Sequence, residues 1–147
     1  MIQYRFLTSN DVTLYKKTVM TFRQQEVSDE KALKVINDPN VIIQVAYQNE
    51  DVCGYTLSYR MPRMDNGNDM LMVYHCFVAP EYQRRYVATT MMQNMLDYAS
   101  KEGIHYMMLI TQTDNDAANA LYDKLGGYLH PTNRNIYYWY ITGQPKI

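Results

Sequence analysis

Tyr74-His75-Cys76-Phe77-Val78-Ala79-Pro80-Glu81-Tyr82-Gln83-Arg84-Arg85-Tyr86-Val87-Ala88 is the stretch on which the fold turns. It begins inside an apolar, aromatic-rich run, Met70 to Val78, that reads as a strand. The strand stops at Ala79-Pro80, because proline cannot donate to a ladder. A basic turn follows. After it Val87, Ala88, Met91, Met92, Met95, Leu96 and Ala99 recur at three- and four-residue steps, the spacing of a buried helix face. Gln83, Arg84 and Arg85 therefore lie where the unpaired N–H groups of a helix N-terminus point outward. Fixed dipoles and mobile cations aimed at one spot make an anion site, and a pyrophosphate suits it.

Upstream, Ile2 to Leu7 alternates apolar and polar side chains as a first strand does. Ser9-Asn10-Asp11 offers an N-cap to a helix from Val12 to Gln24, and Ser28-Asp29-Glu30 starts a shorter one that Asp38-Pro39-Asn40 ends. Val41 to Tyr47 and Val52 to Tyr59 read as a hairpin around Gln48-Asn49-Glu50-Asp51. Downstream, Glu102-Gly103 ends the long helix and His105 to Thr111 reads as a strand. Asp114-Asn115 caps a helix running through Leu125 that Gly126-Gly127 closes. Tyr128 to His130 and Asn135 to Thr142 read as two last strands. The order is β-α-α-β-β-β-α-β-α-β-β. It predicts an α/β protein of the α+β type, with a mixed, mostly antiparallel central sheet of about seven strands flanked by four helices.

The chain has 147 residues, and with no repeat or linker the expectation is one domain over 1–147. A net charge of -1, spread through both halves, gives no basic face for a nucleic acid. No run reads as a membrane span or a secretory leader, which makes the cytoplasm the expected compartment. Cys53 and Cys76 sit mid-strand and are expected to be reduced core residues. His105 and His130 lack partners at metal-ligand spacing, so no metal is expected. Fifteen tyrosines and eleven methionines suit a core edge or a wet cleft.

The element order, with Gln83-Arg84-Arg85-Tyr86-Val87-Ala88 at the exit of the fourth strand, resembles the GNAT superfamily of acyl-CoA-dependent N-acetyltransferases. The family's phosphate loop reads Q/R-x-x-G-x-G/A. Gln83 and Ala88 match its ends, while Tyr86 stands where the family has glycine. A second segment, Asn115 to Gly126, is similar to the family's N-x-x-A-x-x-L-Y-x-x-x-G helix without a departure. Gly54 through Val78 also looks like the aminoglycoside 3-N-acetyltransferase branch, which would make antibiotic resistance a role for the chain.

That resemblance implies acetyl-CoA as co-substrate and a small-molecule primary amine, aminoglycoside-like or polyamine, as acceptor. Backbone around Cys76, Phe77 and Val78 would pair with the pantetheine arm. The pyrophosphate would sit on Gln83, Arg84, Arg85, Tyr86, Val87, Ala88 and Thr89, with Asn115 and Ala118 on the other side. Tyr122 takes the family's general-acid position, and His75 is the candidate base, its imidazole poised near pKa 6.5. Glu26, Asp29, Glu30, Asp65 and Asp69 are available to a cationic acceptor. Tyr86 fits the loop if its φ is helical and its ring turns away. Two other readings stay open: a non-catalytic sensor or partner-binding module, and an acetyltransferase of peptide or protein amines. The run Tyr137-Tyr138-Trp139-Tyr140 suits a homodimer interface or a buried edge equally.

Overall fold

The computed structural model describes residues 1–131 and 133–143. Its elements are β1 (Gln3–Phe6), α1 (Val12–Arg23), α2 (Asp29–Ile36), β2 (Val41–Gln48), β3 (Asp51–Met61), β4 (Met70–Val78), α3 (Val87–Lys101), β5 (Met107–Met108) and α4 (Asp116–Lys124). A 3-10 turn, Pro80–Tyr82, joins β4 to α3. The strands lie in the sheet in chain order; the first three pairings are antiparallel and β4–β5 is parallel.

Strand alternation divides the core between two faces. On one, Ile42, Leu71, Met95 and Ala99 cluster, and Ala46, Ala79, Val87 and Met91 continue the packing toward the start of α3. On the other, Val45, Val52 and Tyr55 meet Leu14 and Phe22 of α1. The methionine stripe predicted for α3 is the buried one: Val87, Met91, Met92, Met95 and Ala99 face inward. Gly54 lets that helix approach closely, since a Cβ there would meet Phe77 O at 2.7 Å and Met91 Cε at 3.1 Å.

One buried amide fastens α3 to the sheet centre. Gln44, with no exposed surface, donates through Nε2 to Thr56 Oγ1 at 3.2 Å and to Met91 O at 3.0 Å. Its Oε1 accepts from Asn94 Nδ2 at 2.7 Å. Ser28 caps α2 as its sequence position implies, accepting from the Lys31 N–H at 3.1 Å. Asp11 does not cap α1. Its carboxylate turns back to accept from the Thr8 N–H and from Arg5, each at 2.8 Å. Cys53 and Cys76 are free thiols.

The fold class is as expected, but the far side of the sheet is smaller. The strand expected over His105 to Thr111 contracts to Met107–Met108. Neither Tyr128 to His130 nor Asn135 to Thr142 forms a ladder, so the described residues hold five strands rather than about seven. Tyr137 stacks toward Trp139 and Tyr138 toward Tyr140, ring centroids 6.1 and 6.0 Å apart, as alternate residues of an extended run do. Their β-type pattern was legible; the edge it would join is two residues long and offers little pairing surface. These rings are exposed in this chain.

Gln44→Ala should lower stability by about 2–3 kcal/mol, because Met91 O and Asn94 Nδ2 lose a partner in a dry site. Ser58 Oγ is buried with no partner among the described residues, so Ser58→Ala should be neutral or stabilising. Urea midpoints of the two variants check the contrast.

Candidate active site

β4 carries one extra residue. Leu57 faces His75 while the next β3 residue, Ser58, faces Val73, so Tyr74 is a bulge. Such an insertion reverses which face each later side chain takes. Before it Leu71 is buried against Met95; after it Cys76 and Val78 pack on the cluster around Met91. His75 and Phe77 are thereby sent to the opposite face, both edge-on to the Tyr55 ring with centroids 5.9 and 5.7 Å away.

His75 Nδ1 lies 2.9 Å from Tyr55 Oη. Burial pushes the Tyr55 phenol up to about 12, so it stays protonated and can donate to the imidazole or accept from it. Burial, and after it the charge of Arg23, holds His75 below the ordinary histidine value. Its imidazole is consequently a neutral proton acceptor at pH 7. It lines a cavity of about 280 Å³ between the sheet and α1–α2, with Phe22, Arg23, Tyr55, Leu57 and Tyr59 among the walls. A broader hollow of about 460 Å³, lined by Phe6, Pro39 and Tyr98, contains neither His75 nor Tyr122.

The other side of β4 opens. β4 and β5 pair only at Leu71–Met107 and Met72–Met108, so past Met72 this edge of β4 has no ladder partner among the described residues. Ala79 N–H donates to Cys53 O at 2.8 Å. Antiparallel alternation then turns the N–H and C=O groups of Cys76 and Val78 away from β3, into the opening. Gln83 Nε2 reaches back to Val78 O at 3.3 Å.

At the start of α3, Arg84 and Tyr86 both take left-handed backbone, φ +62° and +61°. No side chain caps the helix, and Thr90 N–H donates to Tyr86 O at 3.0 Å. The N–H groups of Val87, Ala88 and Thr89 thus point out of the helix end, beside a concave turn of the kind that binds anions. Tyr86 departs from the helical φ expected of it. The family's glycine is explained by that φ, which costs an L residue about 1–2 kcal/mol. Its ring is 72% exposed and reaches toward α4, with Lys124 Nζ 6.0 Å from its centroid. Arg85 rests over the Tyr82 ring at 5.4 Å.

Tyr122 projects from α4 into a half-buried setting where burial, and secondly Cys76, pushes its phenol up to about 12. Burial likewise drives the Cys76 thiol up to about 12. Behind Tyr122, Gly127 N–H donates to Tyr122 O at 2.9 Å, and a Cβ on Gly127 would strike that oxygen at 2.8 Å. Asn115 and Ala118, read as a wall of the cofactor site, are joined to each other, Asn115 Oδ1 accepting from Ala118 N–H at 3.2 Å. Sequence reasoning missed Asn119. Its Nδ2 donates to Gln112 O at 3.0 Å and to Asn115 O at 2.8 Å, fixing the loop that presents α4. The signal was a polar residue one turn after an N-cap.

The expected acceptor carboxylates are mostly paired. Asp29 holds Lys16 at 2.8 Å, Asp69 holds Arg60 at 2.7 Å, and the Arg63 guanidinium beside Asp65 lowers that carboxyl to about 2. Glu26 and Glu30 lie exposed. Among the described residues no group of three or more His, Cys, Asp or Glu could hold a metal ion. No helix among them is long and apolar enough to cross a membrane.

The profile of the acetyltransferase (GNAT) family matches residues 12–127. The chain belongs to the GNAT family. A relative, the [ribosomal protein bS18]-alanine N-acetyltransferase of Escherichia coli (strain K12), is 31% identical over 69 residues, 47% of this chain and 47% of its own. This GNAT chain thus spans about half the length of the curated relatives it matches. An aminoglycoside acetyltransferase from an uncultured soil metagenomic sample superposes with TM-score 0.81 at 18% identity, covering 95% of this chain and 99% of that one. The aminoglycoside N-acetyltransferase AAC(6')-Iy in complex with CoA gives 0.72 at 16% identity, over 96% and 95%. At these identities the structural likeness speaks for the GNAT fold.

Tyr86→Gly should raise stability by about 0.5–1 kcal/mol. Release of the left-handed strain outweighs the added freedom of the unfolded chain. A higher urea midpoint with an unchanged slope checks it.

Proposed function

We propose that this protein moves an acetyl group from acetyl-CoA to a primary amine of a small molecule by direct attack. The observation that carries the reading is the division made by β4. Its bulge turns His75 toward the cavity between the sheet and α1–α2, while Cys76 and Val78 offer backbone groups to an opening near Tyr122 and the α3 N-terminus. Family membership and the aminoglycoside acetyltransferases among the structural neighbours support a small-molecule amine. The bS18-alanine relative favours a peptide amine as second reading, and the small, mostly apolar cavity beside His75 favours the first.

Acetyl-CoA supplies the acyl thioester. Its pyrophosphate fits the outward N–H groups of Val87, Ala88 and Thr89, with Gln83, Arg84, Arg85 and Tyr86 forming the turn. Its pantetheine arm fits the free edge of β4 at Cys76, Phe77 and Val78, as a peptide adds to a sheet edge. Asn115 and Ala118 flank it through the capped start of α4.

His75 takes a proton from the acceptor ammonium, directly or through water, and releases it to solvent; the freed amine then forms the N–C bond and gives its second proton to His75 as the C–S bond breaks. A β4 N–H donates to the developing oxyanion, an interaction worth about 3 kcal/mol in other enzymes. Tyr122 gives its phenolic proton to the departing sulfur. Two free thiols and this chemistry suit a reducing cytoplasm.

Tyr122→Phe should keep CoA binding, read as a thermal shift, and lower kcat about a hundredfold or more. Unchanged kcat removes Tyr122 from the chemistry. Because His75 works unprotonated and its pKa is depressed, kcat/KM should fall only as pH drops through a value below 6.5. In His75→Gln that acidic limb should disappear. A limb that persists assigns the base elsewhere.

A further inference from the structure

Resting on the acetyl-CoA reading, we propose that Tyr86 and Lys124 form a strap across the mouth of the opening beside β4, and that this strap slows the departure of coenzyme A. The two residues come from opposite banks. Tyr86 ends the basic turn between β4 and α3, and Lys124 is the last residue of α4, the helix that follows β5. Past Met72 β4 and β5 share no ladder among the described residues, yet Lys124 Nζ stands 6.0 Å from the centroid of the Tyr86 ring. An ammonium at that distance is attracted by the ring's quadrupole, and more strongly when water is excluded.

Both ends of the strap are anchored. Tyr86 O accepts from Thr90 N–H at 3.0 Å and from Thr90 Oγ1 at 2.9 Å, which fixes the root of the ring on the first turn of α3. Beyond Lys124, the N–H groups of Leu125, Gly126 and Gly127 donate back to Leu121, Asp123 and Tyr122 O at 3.0, 3.0 and 2.9 Å, closing the end of α4. Between these anchors the two side chains are exposed, so they can part to admit a ligand and meet again behind it.

The ligand itself strengthens the closure. A cofactor that places its diphosphate on the N–H groups of Val87, Ala88 and Thr89 enters and leaves between these banks. Its negative charge draws the Lys124 ammonium from the α4 side while the Tyr86 ring stands on the α3 side. Glycine, which the left-handed φ of +61° would favour at position 86, has no ring to offer. Tyrosine exchanges backbone ease for a contact that reaches across.

The test measures the dissociation rate of CoA from the immobilised full chain by surface plasmon resonance, with urea midpoints of the same variants. Lys124→Ala and Tyr86→Gly should each speed release about three- to tenfold, and the double variant no more than either alone, because all three lose one contact. Lys124→Arg and Tyr86→Phe keep a cation and a ring, and should stay within about twofold of the unaltered chain. Tyr86→Gly separates the strap from a general loss of structure: its urea midpoint should rise while its hold on CoA falls. Unchanged release from Lys124→Ala, single effects that multiply in the double variant, or fast release from both conservative variants overturns the strap and leaves CoA binding standing. Failure of the unaltered chain to bind CoA removes the strap and the acetyl-transfer reading together.

Discussion

The site depends on a single inserted residue in β4. Were Tyr74 paired in the ladder instead of bulged out of it, the period-two alternation that buries Leu71 and Val73 would carry His75 and Phe77 toward α3. Cys76 would then face the cavity, and the imidazole would lose its 2.9 Å contact with Tyr55 Oη. One unpaired residue thus exchanges the contents of two compartments. Its own ring pays little for this, lying half exposed against Tyr59 with centroids 5.8 Å apart.

Around that bulge the scaffold is held stiffly. β2 and β3 pair along nearly their whole lengths, and Gln44 ties their centre to the Met91 carbonyl on α3. The same helix begins at the basic turn, so the amide that fixes α3 also fixes where its outward N–H groups point. Gly54 contributes by absence of a side chain, letting Met91 close against the sheet. Rigidity on this side contrasts with the β4–β5 side, where pairing ends after two residues. An opening beside a fixed strand is what an extended ligand with amide groups requires.

Much of this was legible beforehand because it rests on local rules. The β4 limits, the α3 stripe and the Asn115 cap follow from proline, periodicity and capping chemistry. Tyr122 and the Gln83–Ala88 turn followed from motif resemblance. The bulge was not legible: nothing in Tyr74 itself marks it, since it arises from how β4 registers on β3. Nor could pairing partners be read for acidic residues. Asp29 meets Lys16 from another helix, and Asp69 meets Arg60 across a loop. The left-handed Tyr86 ran against steric preference, so no propensity rule could have placed it there.

Burial is one cause with two opposite signs at this site. It lowers the pKa of His75, whose charged form is the protonated one, and raises that of Tyr122, whose charged form is the deprotonated one. Both groups are therefore held neutral, which in the proposed reaction is the state each needs at the start. After transfer the assignments reverse, leaving an imidazolium with a pKa below 6.5 and a phenolate whose acid lies near 12. The phenolate is the stronger base of the two, so the proton returns from His75 to Tyr122 through solvent. The same low-dielectric surroundings that ready the pair also reset it, and no additional titratable group is needed to close the cycle.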